Sequence, residues 1–426
     1  MSAGPGPKHR LHYAWIVAIV TFLVLLATAG IRATPGILIV PLEHEFGWTR
    51  AVISGAIAIN IALFGIIGPF AASLMARYGL RRVVLTALAL LAVAVAGSSL
   101  IRQPWQLVLC WGILVGTGTG VTSLVLAAVV VNRWFVQQRG LVLGILSAAN
   151  ATGQLVFLPL LAAVVTYRNW RTAVYVVGAT AVAVFIVAAL WLKNDPSDLN
   201  LLPYGAKDPL AASNQSIALS PLRALGWAAR SSEFWILAST FFVCGASTNG
   251  LIGTHLIPAC MDHGIPEIRA AGLLAVMGIF DMLGTTFSGW MTDRFNSRYL
   301  LFWYYALRGL SLLFLPYSLA HPDSALSFFA IFYGLDWVAT VPPTVHLATN
   351  TFGKENAGVV YGWIFTAHQV GASVAALGAG TIRTYLGDYR DAFWISGALC
   401  AIAATLLIST RNAAPRSLPE IAREIA

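Results

Sequence analysis

Long apolar runs separated by short polar turns set the pattern of this chain. A helix crosses a bilayer with roughly 20 mainly apolar residues, and runs of that kind recur twelve times. They cover about 12–41, 50–76, 83–101, 104–131, 140–166 and 171–192, then 234–258, 268–291, 298–320, 324–349, 356–382 and 390–410. The runs are continuous and do not alternate apolar with polar positions, so they predict helices and not barrel strands. Pro35-Gly36 predicts a kink in the first. Residues 193–233 interrupt the series with KNDPSDLNLLPYGAKDPLAASNQS, a polar linker, and SPLRALGWAARSSEF after it reads as a short surface helix. The expected fold is an all-α membrane protein of twelve transmembrane helices. Residues 1–192 form one six-helix bundle, 193–233 a cytoplasmic linker, and 234–426 a second bundle with a short tail.

Composition agrees with a lipid environment. Hydrophobic residues make up 58% and charged residues 10% of the 426. Soluble domains carry roughly 25% charged residues, so a chain this apolar could not cover a water-facing surface. The formal net charge of +9 would raise nucleic acid as a partner in a soluble protein. Here the basic residues sit in short loops and orient the helices. With the N-terminus inside, 17 of the 26 Lys and Arg fall in cytoplasmic segments, seven in outer segments, and two, Arg32 and Arg308, inside spans. That bias places both termini in the cytoplasm, and the first run reads as a retained helix, not a cleaved signal. The four cysteines, Cys110, Cys244, Cys260 and Cys400, are isolated and read as buried thiols.

Two loops echo each other. Ala72-Ser-Leu-Met-Ala-Arg77-Tyr-Gly79-Leu-Arg81-Arg82 follows the second run, and Gly289-Trp-Met-Thr-Asp293-Arg294-Phe-Asn-Ser-Arg298 follows the eighth. Duplicated six-helix units predict such a correspondence. The second loop resembles the G-x-x-x-D-R-x-x-x-R signature of the major facilitator superfamily; the first has Ala72 and Ala76 where the family has Gly and Asp. The stretch from Arg133-Trp134-Phe135 through Arg139, Gly140, Gly144, Asn150 and Gly153 is similar to a segment of the monocarboxylate-porter and oxalate–formate-exchanger branches. Trp170-Arg171 and Phe46-Gly47-Trp48-Thr49-Arg50 resemble further motifs of that branch. The resemblance implies a site near mid-membrane between two halves that rock against each other. It also implies a conformational latch formed by Asp293, Arg294, Arg298 and Arg77. The sequence departs from the branch near Thr285, where relatives carry a substrate-binding arginine, and His368 stands at the exchanger's lysine position.

Charges inside a span face a partner or a watery cavity. Arg32 offers a planar fork suited to a substrate carboxylate, with snorkelling to the interface as the alternative. Asp281 and Arg308, on neighbouring spans, either pair as a structural bridge or separate into a proton site and a substrate site. Asp336 and His346 flank Pro342-Pro343, which should bend the tenth helix. His368-Gln369 sit mid-span, where an imidazole can bind substrate and take a proton. Asn150 and Gln154 share a helix face and, with Asn60 and Asn249, are candidates for the cavity wall or for helix–helix bonds. Gly112, Gly116, Gly118 and Gly120 read as packing surfaces. His255, Cys260, Asp262 and His263 have metal-ligand types at no metal spacing, so no metal is expected, although an outer gate is possible there.

No G-x-x-x-x-G-K-[ST], G-x-S-x-G or H-E-x-x-H motif occurs, so ATP drive, a cofactor and enzyme activity are not expected. The expected function is secondary transport, proton-linked, of a small organic anion such as a monocarboxylate. Substrate binding is expected at Arg32, Arg308, His368, Asn150 and Gln154, and proton coupling at Asp281 and His368. The alternatives are an exporter of drugs or amphipathic metabolites and a non-transporting membrane sensor. A monomer in the plasma membrane (the inner membrane if bacterial) is expected, with substrate, protons and lipid as its partners.

Overall fold

A computed structural model of the protein describes residues 12–206, 220–321 and 324–409. Its described residues are overwhelmingly helical. Among the described residues, ten helices are long and apolar enough to cross a membrane. They are α1 (Tyr13–Phe46), α2 (Arg50–Tyr78), α3 (Leu80–Ser98), α4 (Pro104–Trp134), α6 (Trp170–Trp191), α7 (Ser232–Asp262), α8 (Glu267–Thr292), α9 (Ser297–Ala320), α10 (Ala325–Gly353) and α12 (Arg390–Ser409). Two further helices, α5 (Arg139–Tyr167) and α11 (354–386), occupy the places of the fifth and eleventh apolar runs. Gly353, at φ 76°, turns the chain between α10 and α11.

Local chemistry sets several helix starts. Thr49 caps α2 and Asn169 caps α6, each side chain accepting a backbone N–H of the first turn. α1 continues through Pro35 and Pro41 to Phe46, five residues past the expected end. The short helix Pro221–Ala228 forms as the linker sequence suggests. The Trp363 indole donates to Pro221 O at 2.8 Å and ties that helix to α11.

Among the first six helices, α1 packs on α5 and α6, α3 on α4 and α6, and α2 on α4. Among the last six, α7 packs on α11, α8 on α10, and α9 on α12. The two sets meet along α2–α11, α5–α8 and α1–α7.

Three irregularities stand out, of which the break in α10 is the bend expected at Pro342-Pro343. α4 and α7 contain wide π turns at Val108–Val115 and Ala246–Ile252, and such turns frequently mark functional sites. α4 is also interrupted at Thr122-Ser123, 11 residues before its end. α10 is interrupted at 337–340, just ahead of Pro342-Pro343. The fourth helix of each set is therefore broken at a similar distance from the same end of the bundle.

Candidate functional site

The break in α10 organises the buried charges. Pro343 has no N–H to bond the Ala339 carbonyl, and that carbonyl accepts the Ser288 hydroxyl of α8 at 2.6 Å. Val341 N–H turns to Val338 O at 2.9 Å, which leaves the Trp337 carbonyl without its usual helical donor. Arg308 of α9 fills the gap. Its Nη2 donates to Asp336 O at 2.5 Å and Trp337 O at 3.2 Å, and its Nε to Asp336 Oδ2 at 2.6 Å. Nη1 donates to Cys244 Sγ at 2.9 Å. Asp281 of α8 serves the opposite polarity, accepting Val338 N–H at 2.9 Å and the Thr285 hydroxyl at 2.9 Å. Asp281 and Arg308 thus meet at the same break, but each bonds its backbone, and the carboxylate partner of Arg308 is Asp336. Arg308 is 1% exposed, and all of its nitrogens are engaged within the protein.

His368 is placed by the closest helix crossing nearby. Gly245 and Gly250 of α7 lie against the His368 and Ala372 carbonyls, and Gly371 of α11 lies against the Phe242 carbonyl. A Cβ at any of the three would collide with backbone, so only glycine permits this approach. The His368 ring lies 4.8 Å from Phe241 and 5.6 Å from Phe365, nearly parallel to the latter. Its Nδ1, both amide atoms of Gln369 and Asp336 Oδ1 are buried without a hydrogen-bond partner. Unpartnered buried polar atoms are costly, and a bound ligand or water would satisfy them. Arg32 of α1 stacks over Phe64 at 4.8 Å. Both Arg32 and Arg308 lie within electrostatic reach of His368.

Other expected site residues are dispersed. His346 bonds Ser297 at 2.9 Å, away from Asp336. Asn60 donates to Trp111 O at 2.5 Å, inside the π turn of α4. Arg298 pairs with Glu233 and donates to Leu407 O, joining ends of α7, α9 and α12. Arg294 folds back over Trp290 and Arg77 over Tyr78, and Asp293 is exposed. The side chains of Asn150 and Gln154 lie outside the described residues.

The expected outer end carries a charged cluster centred on Arg50, the first residue of α2. Arg50 is 5% exposed. It grips Asp262 with two bonds of 2.7 and 2.6 Å, donates to Glu43 at 2.8 Å, and reaches the Tyr389 hydroxyl at 3.2 Å. Arg383 donates to Asp262 at 2.7 Å. His255, fully buried, bonds Tyr389 at 3.1 Å and Ala376 O at 2.8 Å. The ion pair Arg50–Asp262 joins α2 to α7, so it crosses between the two sets of helices. Trp170 and Arg171 both donate to Glu45 at the same end, at 2.6 and 3.0 Å. The signal for Arg50 was present in Phe46-Gly47-Trp48-Thr49-Arg50.

The family model of the Major Facilitator Superfamily matches residues 17–376 and 273–425. The chain belongs to the major facilitator superfamily. This facilitator is 26% identical over 402 residues to YcxA of Bacillus subtilis (strain 168), an uncharacterised MFS-type transporter; the match covers 91% of this chain and 92% of that one. It is 25% identical to monocarboxylate transporter 13 of Rattus norvegicus, covering 93% and 89%. Among solved structures it resembles a bacterial homologue of the human lysosomal transporter Spinster, inward-facing and unoccupied. The TM-score is 0.72 at 16% identity, covering 95% and 97% of the two chains, which supports the fold. Family and fold are those of multi-pass membrane transporters.

Proposed function

We propose that this facilitator is a proton-linked secondary transporter of a small organic anion such as a monocarboxylate. Its two six-helix halves, 1–192 and 234–426, rock about a mid-membrane site, with both termini cytoplasmic. The observation that carries the reading is the unpartnered polar edge of His368 and Gln369 at the α7–α11 crossing, within the field of Arg32 and Arg308. Such an edge suits a carboxylate that brings its own acceptors. Arg32 supplies the cation for the substrate, whereas Arg308 holds the α10 break. Asp281 is the proton site: protonation removes the charge that holds Val338 N–H and loosens α10. The name of the rat relative adds the substrate class.

Purified protein in liposomes, with an imposed pH gradient and a panel of labelled carboxylates, tests this. Gradient-driven accumulation of an organic acid is expected, and Asp281→Asn should remove its dependence on the gradient. If no acid accumulates while a lipophilic cation is expelled, the reading is wrong. One observation favours that second reading, an exporter. The described bonds of Asp281 run to a hydroxyl and an amide, not to a cation, and such a carboxylate could bind a cationic drug.

A further inference from the structure

We infer that the substrate is an aromatic carboxylate, a carboxyl group carried on a planar ring, and not a short aliphatic acid. The inference rests on the anion reading above and narrows it. Tyr361, Phe365 and His368 stand at i, i+4 and i+7 on α11 and share one helix face. That face looks into the protein. Phe365 meets Phe64 of α2 edge to face at 6.2 Å, His368 meets Phe241 of α7 at 4.8 Å, and Tyr361 meets the same Phe241 at 5.9 Å. With Phe365 stacked on His368 at 5.6 Å, five rings run unbroken from α2 across α11 to α7.

A row of aromatics used only as core would be sealed, as Phe241 is at 0% exposed. Phe365 and Tyr361 are only half-buried. Their ring neighbours belong to α2 and α7, so the row lies where helices of the two sets meet. Arg32 is also half-buried in mid-span and stacks on the Phe64 end of the row. The arrangement is a cation at one end, aromatic faces alongside, and an imidazole with a bare nitrogen in the middle. A carboxylate of two or three carbons would fill the cation's place and leave the Phe365 and Tyr361 faces in water. A ring attached to that carboxylate would cover them in the offset or edge-on geometry that aromatic pairs favour. The row also argues against a di-anion, because the nitrogens of Arg308, the nearby cation of α9, all donate within the protein.

Lactate and 3-phenyllactate differ only by the ring, so they form a clean pair of probes. Wild-type protein in liposomes under an inward proton gradient should take up labelled 3-phenyllactate. Half-saturation should come at a concentration about tenfold lower than for lactate, the ratio an added aromatic contact and its buried area produce. The Phe365→Leu variant should bring the two acids closer together, while Phe365→Trp should keep them apart. Lactate moving as well as 3-phenyllactate in the wild type would overturn this inference alone. So would a Phe365→Leu variant that is active and keeps the full ratio. If neither acid moves in the wild type, the anion reading falls and this inference with it.

Discussion

The first six helices and the last six use the same architecture for different chemistry. In the first six, close packing is largely apolar. Gly116 and Gly120 of α4 lie against Asn60 and Phe64 of α2, and among the described residues Arg32 is the one charge deep in a span. In the last six, Asp281, Arg308, Asp336 and His368 all lie within spans, and three of them converge on the break in α10. α4 is broken at a similar depth, and bonds at its break run within α4 itself, from the Thr122 hydroxyl to Gly118 O and Thr119 O and from Val125 N–H to the Ser123 hydroxyl. Two equivalent interruptions therefore differ in kind: one is a feature of packing, the other a junction of buried charged side chains.

The harshest way to break this contrast is Arg308→Leu. It would strand the Asp336 carboxylate and two carbonyls in the interior. Loss of one partner from a buried pair costs roughly 3–5 kcal/mol, so we expect failure to express as a monodisperse species on size-exclusion chromatography. Adding Asp336→Asn should recover part of the folded yield. Asp281→Asn added instead should recover none, because Asp281 is not the partner of Arg308.

A smaller effect is expected at the α7–α11 crossing. Gly245→Ala places a methyl group on the His368 carbonyl, and overpacking of this kind costs about 1–3 kcal/mol. Gly278→Ala, in α8 with open space around its Cβ position, is the control and should leave the thermal midpoint in detergent unchanged. Gly245→Ala should lower that midpoint and slow transport together, because it also displaces His368.

The expectation of a facilitator fold was legible because apolar runs, basic loops and the paired loop motifs are local features of sequence. The site was less legible. Pro342-Pro343 announced freed carbonyls, but nothing local said that Arg308, on another helix, would collect them. Neighbouring spans offer Asp281 as the carboxylate for Arg308, and nothing local to Asp336 signals that its carboxylate turns to Arg308 instead. Arg50, a basic residue next to a loop, carries the same local signature as a charge that only orients its helix. Its burial depends on Asp262, 212 positions away, arriving at the same seam. The close α7–α11 approach was hidden for the same reason: Gly245, Gly250 and Gly371 gain meaning only when the two helices face each other.

Arg50→Gln sharpens the contrast at the seam between the sets. Asp262 keeps Arg383, so the loss lies near the low end for a buried charged pair, about 2 kcal/mol, or a roughly 30-fold shift in population. The conformer with this end closed should become less populated. Ser54, fully buried against Gly380 of α11, reports on it. A Ser54→Cys side chain should react faster with a membrane-impermeant maleimide from outside when Arg50→Gln is present.

The smallest change in stability is expected from Arg77→Gln combined with Asp293→Asn at the opposite end. Both side chains are exposed, and Arg77 only stacks on its neighbour Tyr78, so the cost should stay within about 0.5 kcal/mol. Its value lies in the sign of a second readout. If the two loops latch the alternate conformer, in which the outer end opens, then removing the latch favours the closed outer end. Labelling of Ser54→Cys should then fall below its level in the otherwise unchanged protein, opposite to the effect of Arg50→Gln. Labelling that rises in both variants would mean that the two ends do not compete. The charged seam at Arg50 would then be a local brace and not one side of an exchange between conformers.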